Sequence, residues 1–259
     1  MSTLQTRQAL DGSLVRLTLN RPDRLNAFDA PMLRELGEAS RSIAESKARL
    51  VVIDGSGKAF SAGGDLAAAS ASGNASSYLG TLARQFHAVL ESFASLEAVI
   101  VTVVNGAAVG GGFALALAGD LRYATPDARF RIGYGRAGLT VDGGISWRLP
   151  RLIGLAQAQR LIIEDPDVGP EEALALGLVH DIFPASDLPA RCEAILESLR
   201  RQGRMAVVRN RSLLAAGASR SLRESLEAEA ETIRLSAGTA DGAEGIRAFL
   251  EKRAAKFQG

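Results

Sequence analysis

The segment Val109-Gly110-Gly111-Gly112-Phe113-Ala114-Leu115-Ala116-Leu117 follows closely on an apolar, β-branched run, Ala98-Val99-Ile100-Val101-Thr102-Val103-Val104-Asn105. No charged residue interrupts the chain from Ala98 to Gly119. A run of that length could cross a membrane, but Asn105-Gly106 and the three glycines break it. The first half reads as a strand and the second as a buried helix. Glycines at such a junction serve two ends. They let strand and helix approach without side chains between them, and they bare backbone N–H groups at the positive end of a helix, where an oxyanion would be stabilised.

A second glycine-rich turn, Lys58-Ala59-Phe60-Ser61-Ala62-Gly63-Gly64-Asp65-Leu66, follows the apolar run Leu50-Val51-Val52-Ile53. Two strand-to-loop turns can aim two N–H donors at one oxygen, the convergence that an oxyanion hole requires. A further strand pattern covers Leu14–Leu19. Helical patterns begin after Asp29, an N-cap with Pro31 in the first turn, and cover residues 79–93, where Leu82, Phe86, Val89, Leu90 and Phe93 share one side. Alternating strands and helices imply α/β layering. From Leu155 onward the chain reads as mainly helical. It carries a brief strand signal at 178–183, a helix start at Asp187 and Pro189, a capping box at Ser221-Leu222-Arg223-Glu224 and a last helix near 242–257. Residues 67–77 are small and of low complexity. They read as a loop, either a mobile one over a ligand pocket or a plain surface loop.

Composition narrows the function classes. With 259 residues, 47% apolar and 23% charged, the chain matches a soluble globular protein able to bury a sizeable core. A net charge of +1 provides no global field for nucleic acid or an anionic membrane. Arg200, Arg201, Arg204, Arg209 and Arg211 crowd together without interleaved aromatics. They read as a solvated helix surface, with contacts to a partner subunit or to ligand phosphates as the alternative. The single cysteine, Cys192, excludes an intrachain disulfide and reads as packing. His87 and His180, the only histidines, lie far apart in sequence and argue against a histidine metal site or a Ser-His-Asp triad. The first residues lack the apolar core of a signal peptide, so a cytoplasmic location is expected.

Four motifs in order carry a family resemblance: Leu19-Asn20-Arg21-Pro22-Asp23-Arg24-Leu25-Asn26-Ala27, the 60–66 turn, Asn105-Gly106 with the triple glycine, and Phe249-Leu250-Glu251-Lys252-Arg253. Over nearly its whole length the chain resembles the crotonase superfamily, also called the enoyl-CoA hydratase/isomerase family. The resemblance implies an α/β, ClpP/crotonase-like spiral of ββα units, although no internal repeat shows in the sequence. It places the spiral core, with the CoA site and oxyanion hole, in residues 1–195. A C-terminal helical region, 196–259, would pack on neighbouring subunits in a homotrimer or a hexamer made as a dimer of trimers. The implied partner is an acyl-CoA thioester, with coenzyme A arriving as part of the substrate. No metal, other cofactor, nucleic acid or membrane is expected.

Matched motif to motif, Gly64 and Gly111 take the places of the two residues whose N–H groups hold the thioester oxygen. Negative charge collects on that oxygen when an α proton leaves or a nucleophile adds, and one donor in such a hole is worth roughly 2.7–4 kcal/mol. Arg24, Leu25, Lys58, Ala59, Phe60 and Ala62 correspond to stretches along the CoA path. Phe249 and Lys252 match C-terminal residues that reach CoA from a neighbour.

The sequence departs from the hydratases of this family, which use two glutamates around a water. Ala114 and Tyr134 stand at those places here, and neither is an acid or base suited to neutral pH. Loss of such a group typically costs ~10²–10⁴ in rate. A carboxylate remains at Asp142, in Gly138-Leu139-Thr140-Val141-Asp142-Gly143-Gly144-Ile145-Ser146-Trp147-Arg148-Leu149-Pro150. That stretch resembles the ring-1,2-epoxyphenylacetyl-CoA isomerase branch, with Val141 replacing a proline and one residue missing before Gly-Gly. Asp142 is read as a proton-transferring group, as a helix cap, or as both. Asp65 and Asp120 are expected to be structural, and Tyr134 to contact the acyl group or donate to it. The expected function is therefore an isomerase acting through an enolate. The alternatives are an enoyl-CoA hydratase using Asp142 and a second group, and a non-catalytic CoA-thioester-binding protein.

Overall fold

The β-branched runs form strands as their sequences predict, in a computed structural model that describes residues 2–258. β1 (Leu4–Ala9) and β2 (Leu14–Leu19) pair antiparallel, and α1 (Ala30–Ala44) leads to β3 (Leu50–Gly55) and β4 (Ala59–Ser61). After α2 (Leu66–Ala71) and α3 (Ala75–Ala94) come β5 (Val99–Val104), β6 (Ala107–Val109), α4 (Gly111–Ala116), β7 (Leu121–Ala124) and β8 (Arg129–Arg131). α5 (Ile145–Ile153), α6 (Leu155–Glu164), α7 (Pro170–Leu176) and β9 (Asp181–Ile182) complete this part.

Two sheets result, one of order β1-β2-β3-β5-β7-β9 and one of order β4-β6-β8. Beyond the β1–β2 hairpin the strands pair in parallel, with one isolated antiparallel bridge from Phe130 of β8 to Val168. The pairs β3/β4, β5/β6 and β7/β8 each send one strand to each sheet, which is the spiral of ββα turns that the resemblance implied. Parallel strands are covered on both faces, which is why β3 and β5 are apolar with little alternation.

Two helices close the core from one side. Asp29 caps α1 by accepting from the Met32 N–H at 3.0 Å, and α1 buries Met32, Leu33, Leu36 and Ile43. α3 buries Leu82, Phe86, Val89, Leu90 and Phe93, the apolar side read from the sequence. Each such side chain contributes roughly 1.5–3 kcal/mol by leaving water.

Residues 67–77 are not a loop. They form α2 and the start of α3, capped by Asp65 accepting from the Ala68 N–H and by Asn74 accepting from the Ser77 N–H, each at 3.0 Å. Small residues suggested mobility, yet five of the eleven are alanines, the strongest helix formers.

The chain divides into two compact units, Met1–Leu188 and Pro189–Gly259. The expected boundary at 195/196 therefore falls inside α8 (Leu188–Arg200). The second unit continues with α9 (Arg204–Gly217), α10 (Leu222–Ala237) and α11 (Ala240–Leu250), and the capping box of Ser221 and Glu224 is formed in full. The last helix ends at Leu250 rather than near 257. Lys252 turns the backbone to φ +52°, and Arg253 forks onto Glu244 at 2.6 and 3.0 Å. Arg200 and Arg201 are exposed beside Glu197, as expected of a solvated helix surface. Cys192 is buried. Among the described residues no helix is long and apolar enough to cross a membrane.

Candidate active site

Each of the three consecutive glycines has its own physical reason. Gly110 adopts φ +56°, ψ −121°, outside the regions open to L residues. Gly112 packs so tightly that a Cβ would stand 2.1 Å from the Ser61 carbonyl oxygen. Gly111 opens α4, and a Cβ on it would meet the Phe28 ring at 3.2 Å. Gly112 thus serves close packing, one of the two sequence readings of the run, while Gly111 lines a cavity.

The turn after β4 meets α4 backbone to backbone, since a Cβ on Gly63 would lie 2.7 Å from the Gly111 nitrogen. Phe28 fixes this turn. Its N–H donates to the Gly63 carbonyl at 2.6 Å, and its carbonyl accepts from the Asp65 N–H at 2.9 Å. In that parallel bridge the N–H of Gly64 points away from Phe28. The first N–H of a helix likewise has no partner within it. No hydrogen bond engages the N–H of Gly64 or Gly111 among the described residues.

Gly64 and Gly111 line a cavity of about 380 Å³. Its walls are mostly apolar, with Phe28, Leu66, Leu79, Leu82, Phe86, Leu139 and Val141, and its titratable side chains are Tyr134 and Asp142. Ala62 also lines it. Ala114 is fully buried, and the space beside it is closed: a Cβ on Gly143 would stand 2.6 Å from both the Ala114 methyl and the Phe86 ring. No room remains there for a longer side chain.

Asp142 does not cap α5. The capping residue is Gly144, in a left-handed conformation, with no side-chain cap. The Asp142 carboxylate turns instead to His87 on α3, with Oδ1 2.5 Å from Nε2. Burial, joined by the Asp142 charge and opposed by a hydrogen bond accepted from the Asp142 backbone N–H, holds the Tyr134 phenol well above its ordinary range. Tyr134 is therefore a hydrogen-bond donor throughout the working pH range and no base.

The remaining sequence candidates divide. Arg24, Leu25 and Lys58 are exposed at the surface, and Leu25 sits at φ +50°. The side chains of Ala59 and Phe60 are buried in β4, which leaves only their backbone for a ligand. Phe249 and Lys252 belong to the second unit, where Phe249 is 83% exposed. Asp65 caps α2 and pairs with Arg21 at 3.0 Å, while Asp120 accepts from the Ile100 N–H at 2.8 Å. Both are structural, as expected.

Three residues escaped the sequence reading. Phe28 carries no motif signal, and His87 was weighed only against His180, whereas its partner is Asp142, 55 positions away. Asn26, fully buried at φ +55°, accepts from the Arg21 N–H and donates to the carbonyls of Ser56 and Ala59, tying the first motif to β4.

The sequence model described as enoyl-CoA hydratase/isomerase matches residues 10–259. A probable enoyl-CoA hydratase of Rhodobacter capsulatus is 35% identical over 260 residues, covering 100% of each chain. A 1,2-epoxyphenylacetyl-CoA isomerase of Escherichia coli is 29% identical over 253 residues, covering 96% of this chain and 97% of that one. The crystal structure of an enoyl-CoA hydratase from Bacillus anthracis superposes with a TM-score of 0.91 at 29% identity, covering 99% of each chain. Sequence and fold lead to one conclusion: the chain belongs to the enoyl-CoA hydratase/isomerase family of the crotonase superfamily.

Proposed function

We propose that this protein is an acyl-CoA isomerase that works through an enolate, with Asp142 as the group that moves the proton. The observation that carries this reading is the lone carboxylate: among the residues lining the cavity, Asp142 is the one acid, and the place of a second is filled by Ala114 against Gly143. Moving a double bond needs one group that takes a proton from one carbon and returns it to another, whereas the usual hydration route needs two carboxylates around a water.

The steps follow from the chemistry of the thioester. Asp142 takes the α proton, the C–H electron pair forms the carbon–carbon double bond of the enolate, and the carbonyl oxygen takes the negative charge. The N–H groups of Gly64 and Gly111 stabilise that oxygen. Conjugation through a β,γ double bond spreads the charge to the γ carbon, where protonated Asp142 returns the proton. Tyr134, held neutral, donates a hydrogen bond, and the apolar walls favour an apolar acyl group. The name of the Escherichia coli relative, an isomerase, supports this reading.

A hydratase reading draws on the name of the Rhodobacter relative and on His87, which would supply a second group beside Asp142. Two assays separate them. Conversion of β,γ- to α,β-hexenoyl-CoA should fall roughly 10²-fold or more in Asp142→Asn. Crotonyl-CoA hydration should run orders of magnitude below that of a two-glutamate hydratase assayed alongside. Hydration at a comparable rate would replace isomerase by hydratase.

A further inference from the structure

Asp142 lies in the turn just before α5, outside any helix or strand. It precedes Gly143 and Gly144, at φ +62° and +77°, and its carboxylate is 32% exposed. Its side chain makes one hydrogen bond among the described residues, the 2.5 Å contact with His87. His87, by contrast, stands on a twenty-residue helix anchored by five buried side chains, one of them its neighbour Phe86. A group held on a rigid helix defines geometry better than a group on a loop.

We propose that His87 is the positioning residue for Asp142. It holds Oδ1 so that the second carboxylate oxygen is presented to the substrate, and without it the loop carboxylate swings toward solvent. The inference rests on the reading of Asp142 as the base. A misplacement of about an ångström at a reacting group can cost on the order of 10²-fold in rate while substrate still binds. Removal of His87 should therefore act on kcat and leave KM nearly unchanged.

The test uses the full chain with β,γ-hexenoyl-CoA, together with deuterium exchange at the α carbon of hexanoyl-CoA in deuterated water. His87→Ala should lower kcat and exchange roughly 10-fold or more, with KM and melting temperature held. His87→Gln, which keeps an N–H near the position of Nε2, should recover much of the loss, and added imidazole should rescue the alanine variant through the half-exposed site. Independently of turnover, Asp142→Asn should shift the ring resonances of His87 and leave those of His180, the chain's only other histidine.

Full kcat in folded His87→Ala, a loss that neither glutamine nor imidazole reverses, or unmoved His87 resonances in Asp142→Asn would each overturn the proposal. Unchanged exchange in Asp142→Asn would remove the base itself and this inference with it. Loss in Asp142→Asn but none in His87→Ala would overturn the positioning role alone.

Discussion

Alanine at Gly112 isolates the packing role of the glycine run from its chemical one. The new methyl would stand 2.1 Å from the Ser61 carbonyl oxygen and 2.7 Å from the carbonyl carbon, more than an ångström inside contact distance for the oxygen. Both atoms are backbone of β4, which is hydrogen-bonded to β6 and cannot withdraw without breaking that pairing. Overpacking typically costs ~1–3 kcal/mol, and an immovable neighbour argues for the upper end. For a chain of this size each kcal/mol lowers the melting temperature by about 2–4 °C, so Gly112→Ala should melt roughly 6–12 °C lower. Gly111→Ala meets a ring at 3.2 Å, which can turn by a few tenths of an ångström, and should lose on the order of 1 kcal/mol or less. Its turnover should nonetheless fall about 10-fold or more as Phe28 and the donor turns are pushed apart. Thermal unfolding by circular dichroism, with turnover on the same samples, reads both. A Gly112→Ala variant melting with the wild type, or a Gly111→Ala variant less stable than it, would refute the division of roles.

Other perturbations test the surroundings of the site. Ala114→Glu should not create a hydratase, because Gly143 and Phe86 close the space; the variant should melt lower and gain no crotonyl-CoA hydration, and a gain would show that the space opens. Burial would raise the Asp65 carboxyl, but hydrogen bonds from Ala68 and Arg21 and the Arg21 charge hold it below its ordinary value of 3.8. Its contribution is thus complete above that value and is lost as pH falls through it. The melting-temperature gap between wild type and Asp65→Asn should be steady near neutral pH and close below about pH 4, and a gap that persists in acid would contradict the assignment. Leu214, Leu222, Ile233, Phe249 and Leu250, all strongly exposed, support self-assembly. Light scattering should find three or six chains, and a monomer would remove that expectation.

Legibility in the sequence followed how local the determining physics is. β2, β3 and β5 were readable because parallel strands buried on both faces keep β-branched runs, and the caps at Asp29 and Ser221 because each acts within one turn. The repeat was hidden because β4, β6 and β8 are three residues each and the helices between turns differ in length. Residues 67–71, four alanines and a serine, read as loop from their small side chains because the cap that starts their helix, Asp65, was taken only as a structural acid. At the site, Gly64, Gly111 and Asp142 were found through motifs. The local pattern Asp-Gly-Gly also suggested a cap that is not formed, since the competing partner, His87, comes from a distant helix.

A cavity served by one carboxylate has a handedness. An enolate is flat, and Asp142 can reach it from a single side. The hydrogen removed from the α carbon and the hydrogen delivered to the γ carbon then belong to the same face, and the product's configuration is written by which wall of the pocket carries the acid. On the proposed enolate reading, with Asp142 the one acid among the lining residues, no second carboxylate is there to protonate the other face.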